Sequence, residues 1–133
     1  MFKPELADRL RQPVDMGSFP MSGGTYVGDF DSVVYNGSDC IVFVELKLKG
    51  KDIKMSQINA YTAMVTAASV VGMRACFIFA YHNVQNKEEV IHMRDSDVQC
   101  MWYFDDALGI RVRYDVKKMK TGDLIDMFLK GEI

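Results

Sequence analysis

The chain has 133 residues and a net charge of −2, with 49% of its residues apolar and 26% charged, which suits one soluble globular domain over 1–133 with a sizeable core. No apolar run reaches the ~20 residues of a membrane helix, and the first residues lack the apolar stretch of a secretory signal. The balance of charge excludes capture of nucleic acid by a global field, so any such affinity must come from a local basic patch.

In chain order, residues 4–12 are predicted to form a short helix. Pro4 sits in the first turn, Glu5 complements the helix dipole, and Leu6 and Leu10 lie four apart. Residues 13–24, with two Pro and three Gly, are predicted to be a loop. Strands are expected at 25–35 and 40–49, the second being the strongest in the chain. A helix is expected at 53–71, with Asp52 or Ser56 as its cap, an apolar stripe of Ile58, Tyr61, Met64, Val65 and Ala68, and a stop at Gly72. A buried strand at 74–82 follows, and strand, helix, strand in that order predicts a βαβ crossover. Beyond it the pattern is weaker. A short strand is expected at 90–93, strands at 98–104 and 110–116 around a turn at Asp105 and Asp106, and an amphipathic helix on Leu124, Ile125, Phe128 and Leu129. Cys40, Cys76 and Cys100 are odd in number, far apart and flanked by apolar residues, which predicts reduced core thiols in a cytoplasmic protein.

The chemistry concentrates between the first two strands and the helix after them. Side chains alternate along a strand, so Glu45 and Lys47 share one face while Val42, Val44, Leu46 and Leu48 point to the other. A carboxylate and an ammonium on an apolar strand cost stability unless they pair or bind something. Asp29 and Asp31 on the preceding strand and Glu45 are hard oxygen donors of the kind Mg²⁺ or Mn²⁺ takes. Lys47 beside them can neutralise a phosphate or help deprotonate a water. On the helix, Gln57 and Tyr61 are four apart and share a face. Taken singly, each residue has a plainer reading: Glu45 and Lys47 as a charged strand face, Tyr61 as core, Gln57 as a solvated residue, Glu5 as a helix-start acid. Trp102, Tyr103 and Phe104 suit core packing better than stacking on bases, and His82 and His92 have no spaced partner.

An acid, then Glu45-Leu46-Lys47, then Gln57-x-x-x-Tyr61 resembles the PD-(D/E)xK nuclease superfamily, and the helix motif resembles its RecB-type branch. The resemblance covers about residues 25–82. It implies an α/β, restriction-endonuclease-like mixed central sheet flanked by helices, and metal-dependent hydrolysis of DNA phosphodiesters. By that resemblance Asp31, Glu45 and the Leu46 backbone carbonyl hold Mg²⁺ or Mn²⁺, with Glu5 a further candidate. Lys47 is the catalytic lysine, and Gln57 and Tyr61 support the site or touch DNA. Lys49, Lys51 and Lys54 form a basic cluster suited to DNA phosphates. The expected activity is a RecB-type exonuclease or flap-processing enzyme. The alternatives are a structure-specific endonuclease of the Holliday-junction-resolvase kind and a non-catalytic DNA-binding or interaction module. The small size favours a homo-oligomer, a dimer first.

Asp29 and Asp31 share a face, so distance along the ladder must separate them. A two-residue connection pairs Asn36 with Asp39 and sends both aspartates away from Glu45. A three-residue connection, 37–39, pairs Asn36 with Cys40 and sets Asp31 opposite Glu45, with Cβ atoms ~5 Å apart. The metal reading therefore predicts an odd-length connection or a bulge, with Asp31 as the ligand.

Overall fold

A computed structural model describes residues 32–86 and 88–133. The expected helix at 4–12, the loop at 13–24 and the first part of the strand at 25–35 lie outside the described residues. The described residues fold as β1 (Ser32–Tyr35), β2 (Cys40–Leu48), α1 (Met55–Val70), β3 (Arg74–His82), β4 (Asp97–Asp105), β5 (Gly109–Arg113) and α2 (Thr121–Leu129). The strands form one five-stranded sheet in the order β1-β2-β3-β4-β5. Only β2 and β3 run parallel, joined by α1 as a βαβ crossover, while the other neighbours are antiparallel. This is an α/β fold with a mixed central sheet and a helix on each face.

Alternation along β2 and β3 decides what each helix covers. Val42, Val44, Cys76 and Ile78 point to one face, where Leu124, Ile125 and Phe128 of α2 close over them together with Met101. Phe43, Phe77 and Phe79 point to the other, against Tyr61 and Val65 of α1. Both clusters are sequestered from solvent, and Cys40, Cys76 and Cys100 lie inside them as free thiols. No helix among the described residues is long and apolar enough to cross a membrane.

The hairpin joining β1 to β2 is built by one side chain. Asn36 Oδ1 accepts hydrogen bonds from the backbone N–H groups of Ser38, Asp39 and Cys40, each at 3.0 Å, while its Nδ2 donates to Asp39 Oδ1 at 3.0 Å. Gly37 takes the left-handed backbone (φ 81°) that the turn requires. The resulting register pairs Tyr35 with Ile41 and Ser32 with Val44, and the Asn36 N–H donates to the Cys40 carbonyl at 3.1 Å. That is the register of a three-residue connection, as the metal reading requires, and not that of a two-residue one.

Three local expectations need correction. Helix α1 begins at Met55, and neither Asp52 nor Ser56 caps it. Lys54 holds the cap position, and its N–H donates to Gln57 Oε1 at 3.2 Å. The far end stops where expected, with Gly72 at φ 91° and closing bonds from the Gly72 N–H to Ser69 O (3.0 Å) and the Met73 N–H to Ala68 O (2.9 Å). No strand forms at 90–93: β4 already has neighbours on both sides, and Val90 and Ile91 are left exposed. The strand expected at 110–116 ends at Arg113, whose guanidinium grips Asp115 at 2.6 and 3.0 Å. The chain then coils into a 3-10 turn, Asp115–Lys118, which tucks Val116 into the α2-side core. The turn at Asp105 forms as expected, its carboxylate accepting from the N–H groups of Ala107 and Leu108 at 2.8 and 2.9 Å.

Candidate functional site

Glu45 sits midway along the parallel β2–β3 pair, opposite Phe79, on the face covered by α1. Its side chain is almost wholly buried, the residue being 3% exposed. A carboxylate in that position needs donors, because burying it unpaired would cost several kcal/mol. Helix α1 supplies two. The Gln57 amide donates to Oε1 at 2.9 Å, and the Tyr61 hydroxyl donates to Oε2 at 2.6 Å. Lys47, two residues on and therefore on the same face, brings its ammonium to 3.3 Å from Oε1 and is partly open to solvent. Four of the residues singled out in the sequence thus meet in one cluster.

The helix donors are held in their turn. Gln57 spans two jobs, its carbonyl oxygen receiving the Lys54 N–H while its amide reaches Glu45. Tyr61 is 2% exposed, and its ring lies flat on Phe77, with centroids 4.1 Å apart and planes 2° from parallel. Phe77 stacks on Trp102 in the same manner at 5.0 Å, and Phe43 meets Tyr61 obliquely at 6.2 Å. The hydroxyl is therefore presented by a ring that cannot swing. The plain reading of Gln57 as solvated is wrong, since it is 8% exposed. Positions 57, 61 and 65 form the buried seam of α1, one residue per turn, and a polar residue on such a seam signals a buried partner. Phe77 and the Lys54 N–H escaped notice in the sequence because nothing in their local pattern sets them apart from an ordinary core residue and an ordinary helix start.

Lys49, Lys51 and Lys54 are exposed beside the carboxyl end of β2 and the start of α1. The backbone turns there at Gly50 (φ 95°), fixed by a bond from the Lys51 N–H to Leu48 O at 2.9 Å. Their charge lies at the same end of the sheet as Lys47. Trp102 is taken up by its stack on Phe77, in keeping with the packing reading. Leu46 turns its side chain to the α2-side core. Glu5, Asp29 and Asp31 lie outside the described residues, and among those described there is no group of three or more His, Cys, Asp or Glu side chains placed to hold a metal.

The donor set at Glu45 nonetheless suits a hard cation. An ionised carboxylate offers about four lone-pair positions; α1 takes one on each oxygen and Lys47 a further one, so acceptor capacity is left over. Mg²⁺ and Mn²⁺ ask for one or two carboxylates and keep several waters. Of the described residues, those that could hold such an ion are Glu45 and the Leu46 carbonyl.

No family model, curated protein or solved structure matches the chain.

Proposed function

We propose that the protein is a metal-dependent deoxyribonuclease that hydrolyses DNA phosphodiester bonds, by the resemblance to the RecB-type branch of the PD-(D/E)xK nucleases. The observation that carries this reading is the buried Glu45, held at both oxygens by Gln57 and Tyr61 with Lys47 alongside. Two sequence motifs from different elements meet on one carboxylate, and the β1–β2 register is the one the metal reading needs. A bound Mg²⁺ or Mn²⁺ would supply Lewis acidity to the phosphate and lower the pKa of the attacking water. Gln57 and Tyr61 fix the rotamer of Glu45, so its acceptor positions are set before substrate arrives. Lys47 offsets the charge that develops on the phosphate and steers the attacking water. Lys49, Lys51 and Lys54 hold flanking phosphates. The free, buried thiols suit the reducing cytoplasm, and so small a fold favours work as a dimer.

A second reading, a non-catalytic DNA-binding or interaction module, is favoured by the depth of Glu45 and by the donors already on both of its oxygens. One experiment separates the possibilities: incubation of the full chain with linear, circular, flapped and four-way DNA in Mn²⁺, beside a Glu45→Gln control. Cleavage of linear or flapped DNA supports the exonuclease or flap-processing activity, and cleavage confined to four-way DNA the resolvase kind. Binding without cleavage supports the module. Neither binding nor cleavage on any of the four refutes all of these readings.

A further inference from the structure

A cavity of about 300 Å³ opens at the carboxyl end of β3, lined by Tyr81, His82, Asn83, His92 and Asp95 with an apolar side at Val90 and Ile91. Parallel strands gather ligands outside their carboxyl ends, and this cavity adjoins the strand that carries Lys47. Lys47 pairs with Tyr81 and Leu48 with His82, and the Lys49 N–H donates to the His82 carbonyl at 2.8 Å. Alternation sets Lys47 on the α1 face of the sheet and His82 on the α2 face. The cavity and the Glu45 cluster therefore flank the same end of the sheet from opposite sides.

We infer that this cavity is a nucleobase pocket for an unpaired DNA strand, selective against thymine and for a base that carries an exocyclic amine, adenine, cytosine or guanine. The inference rests on the nuclease reading for its substrate, DNA, but uses none of the residues at Glu45. Its volume is at the small end of the ~300–1,000 Å³ of ligand sites, room for one base and not for a base pair. The lining matches a base in kind: the imidazole rings of His82 and His92 for its faces, aliphatic side chains for its apolar edge, and acceptors for its amine. Among the described residues no hydrogen bond engages the side chains of Asn83, His92 or Asp95. His82 is oriented, its Nδ1 accepting the Val84 N–H at 3.2 Å. An Asp carboxylate accepts from the cytosine amine, and an Asn amide pairs with adenine through both its groups, whereas thymine offers no amine to either. Asp97, at the rim, is already held by Lys120 at 2.6 Å. A strand that has its phosphates on Lys49 and its base in this cavity must bend over the end of the sheet. Duplex DNA, with a persistence length of about 50 nm, resists such a bend, and a single strand does not.

The test is binding in Ca²⁺, with no need for turnover. The full chain is titrated by fluorescence anisotropy with short single strands of oligo-dA, oligo-dC, oligo-dT and an abasic strand of equal length. The expected result is oligo-dA or oligo-dC binding about tenfold tighter than the abasic strand, within what one stacked base contributes, with oligo-dT close to abasic. The exposed double variant Asn83→Ala/Asp95→Ala should lose that preference and keep the abasic affinity. Equal affinity of the wild type for all four strands overturns the pocket while leaving DNA binding intact. Base preference in a protein that cleaves no DNA supports the pocket and refutes the nuclease reading instead. A preference that survives in the double variant, or no binding of any strand, also overturns the pocket.

Discussion

Substitution of Tyr61 by Phe tests the Glu45 cluster at its shortest contact. The change deletes one oxygen, the donor 2.6 Å from Glu45 Oε2, and leaves the ring on Phe77. Apolar burial is unchanged, so the cost comes from what the hydroxyl bonds to. A bond of that length to a carboxylate is charge-assisted, and such bonds contribute about 1.5–3 kcal/mol when removed. At roughly 4 °C per kcal/mol for a chain of this size, Tyr61→Phe should melt about 6–12 °C lower than the wild type. Its urea midpoint should fall at unchanged slope, the sign of lost stability without a changed unfolded state. A second cycle isolates the charge. In a Glu45→Gln background the hydroxyl faces a neutral acceptor, and the same Tyr61→Phe step should cost about 0.5–1.5 kcal/mol. A loss below about 0.5 kcal/mol in the wild-type background, the level of an unremarkable surface change, would mean that the carboxylate does not depend on the tyrosine, and the site would lose its central contact.

Four further outcomes follow from the same geometry. Mg²⁺ or Mn²⁺ should raise the melting temperature of the wild type more than that of Glu45→Ala, by ligand linkage, and equal shifts in a thermal-melt assay would count against Glu45 as a ligand. Lys47→Ala should abolish cleavage in a gel assay yet keep most DNA affinity, since Lys49, Lys51 and Lys54 remain; full activity would remove Lys47 from the chemistry. Gly122→Ala should destabilise α2 by about 1–3 kcal/mol in urea titration although alanine favours helices, because the new Cβ would lie 2.8 Å from Arg94 Cβ and 2.9 Å from its guanidinium carbon. Arg94→Ala should not rescue it, since the nearest atom stays. Burial pushes the Cys100 thiol up to about 12 from 9.0, and raises Cys40 and Cys76 as well. Thiols that stay neutral in the fold but ionise when unfolded make stability fall as pH climbs from about 9 toward 12, a loss that urea titrations across that range should record and that Cys100→Ala should reduce.

The legible parts of the fold were those in which one local pattern had one explanation. Strand β3 spans the predicted residues because its continuous apolar run suits only a strand buried on both faces. The hairpin register was legible as a choice between two parities, which Asn36 decides through three backbone donors. Val116 was misread because an isolated valine in step with Val112 looks the same whether the strand continues or the chain turns back. Val90 and Ile91 have strand-like side chains, but a strand needs an open neighbour, and the sheet order leaves none there. At the site, the pairing of Glu45 with Lys47 follows from alternation alone. The burial of Gln57 does not, since its polarity argues for solvent until Glu45 is known to lie beneath it.

The chain contains a single tryptophan, and it closes the stack that begins at Tyr61 and runs through Phe77. Its indole is thus two rings removed from the Glu45 carboxylate, within a rigid column of aromatic planes. Excitation at the red edge, where tyrosine does not absorb, addresses this column and nothing else in the polypeptide. Whatever repositions Tyr61 shifts Phe77 against the indole, so emission from Trp102 gives a label-free optical signal of the state of the carboxylate.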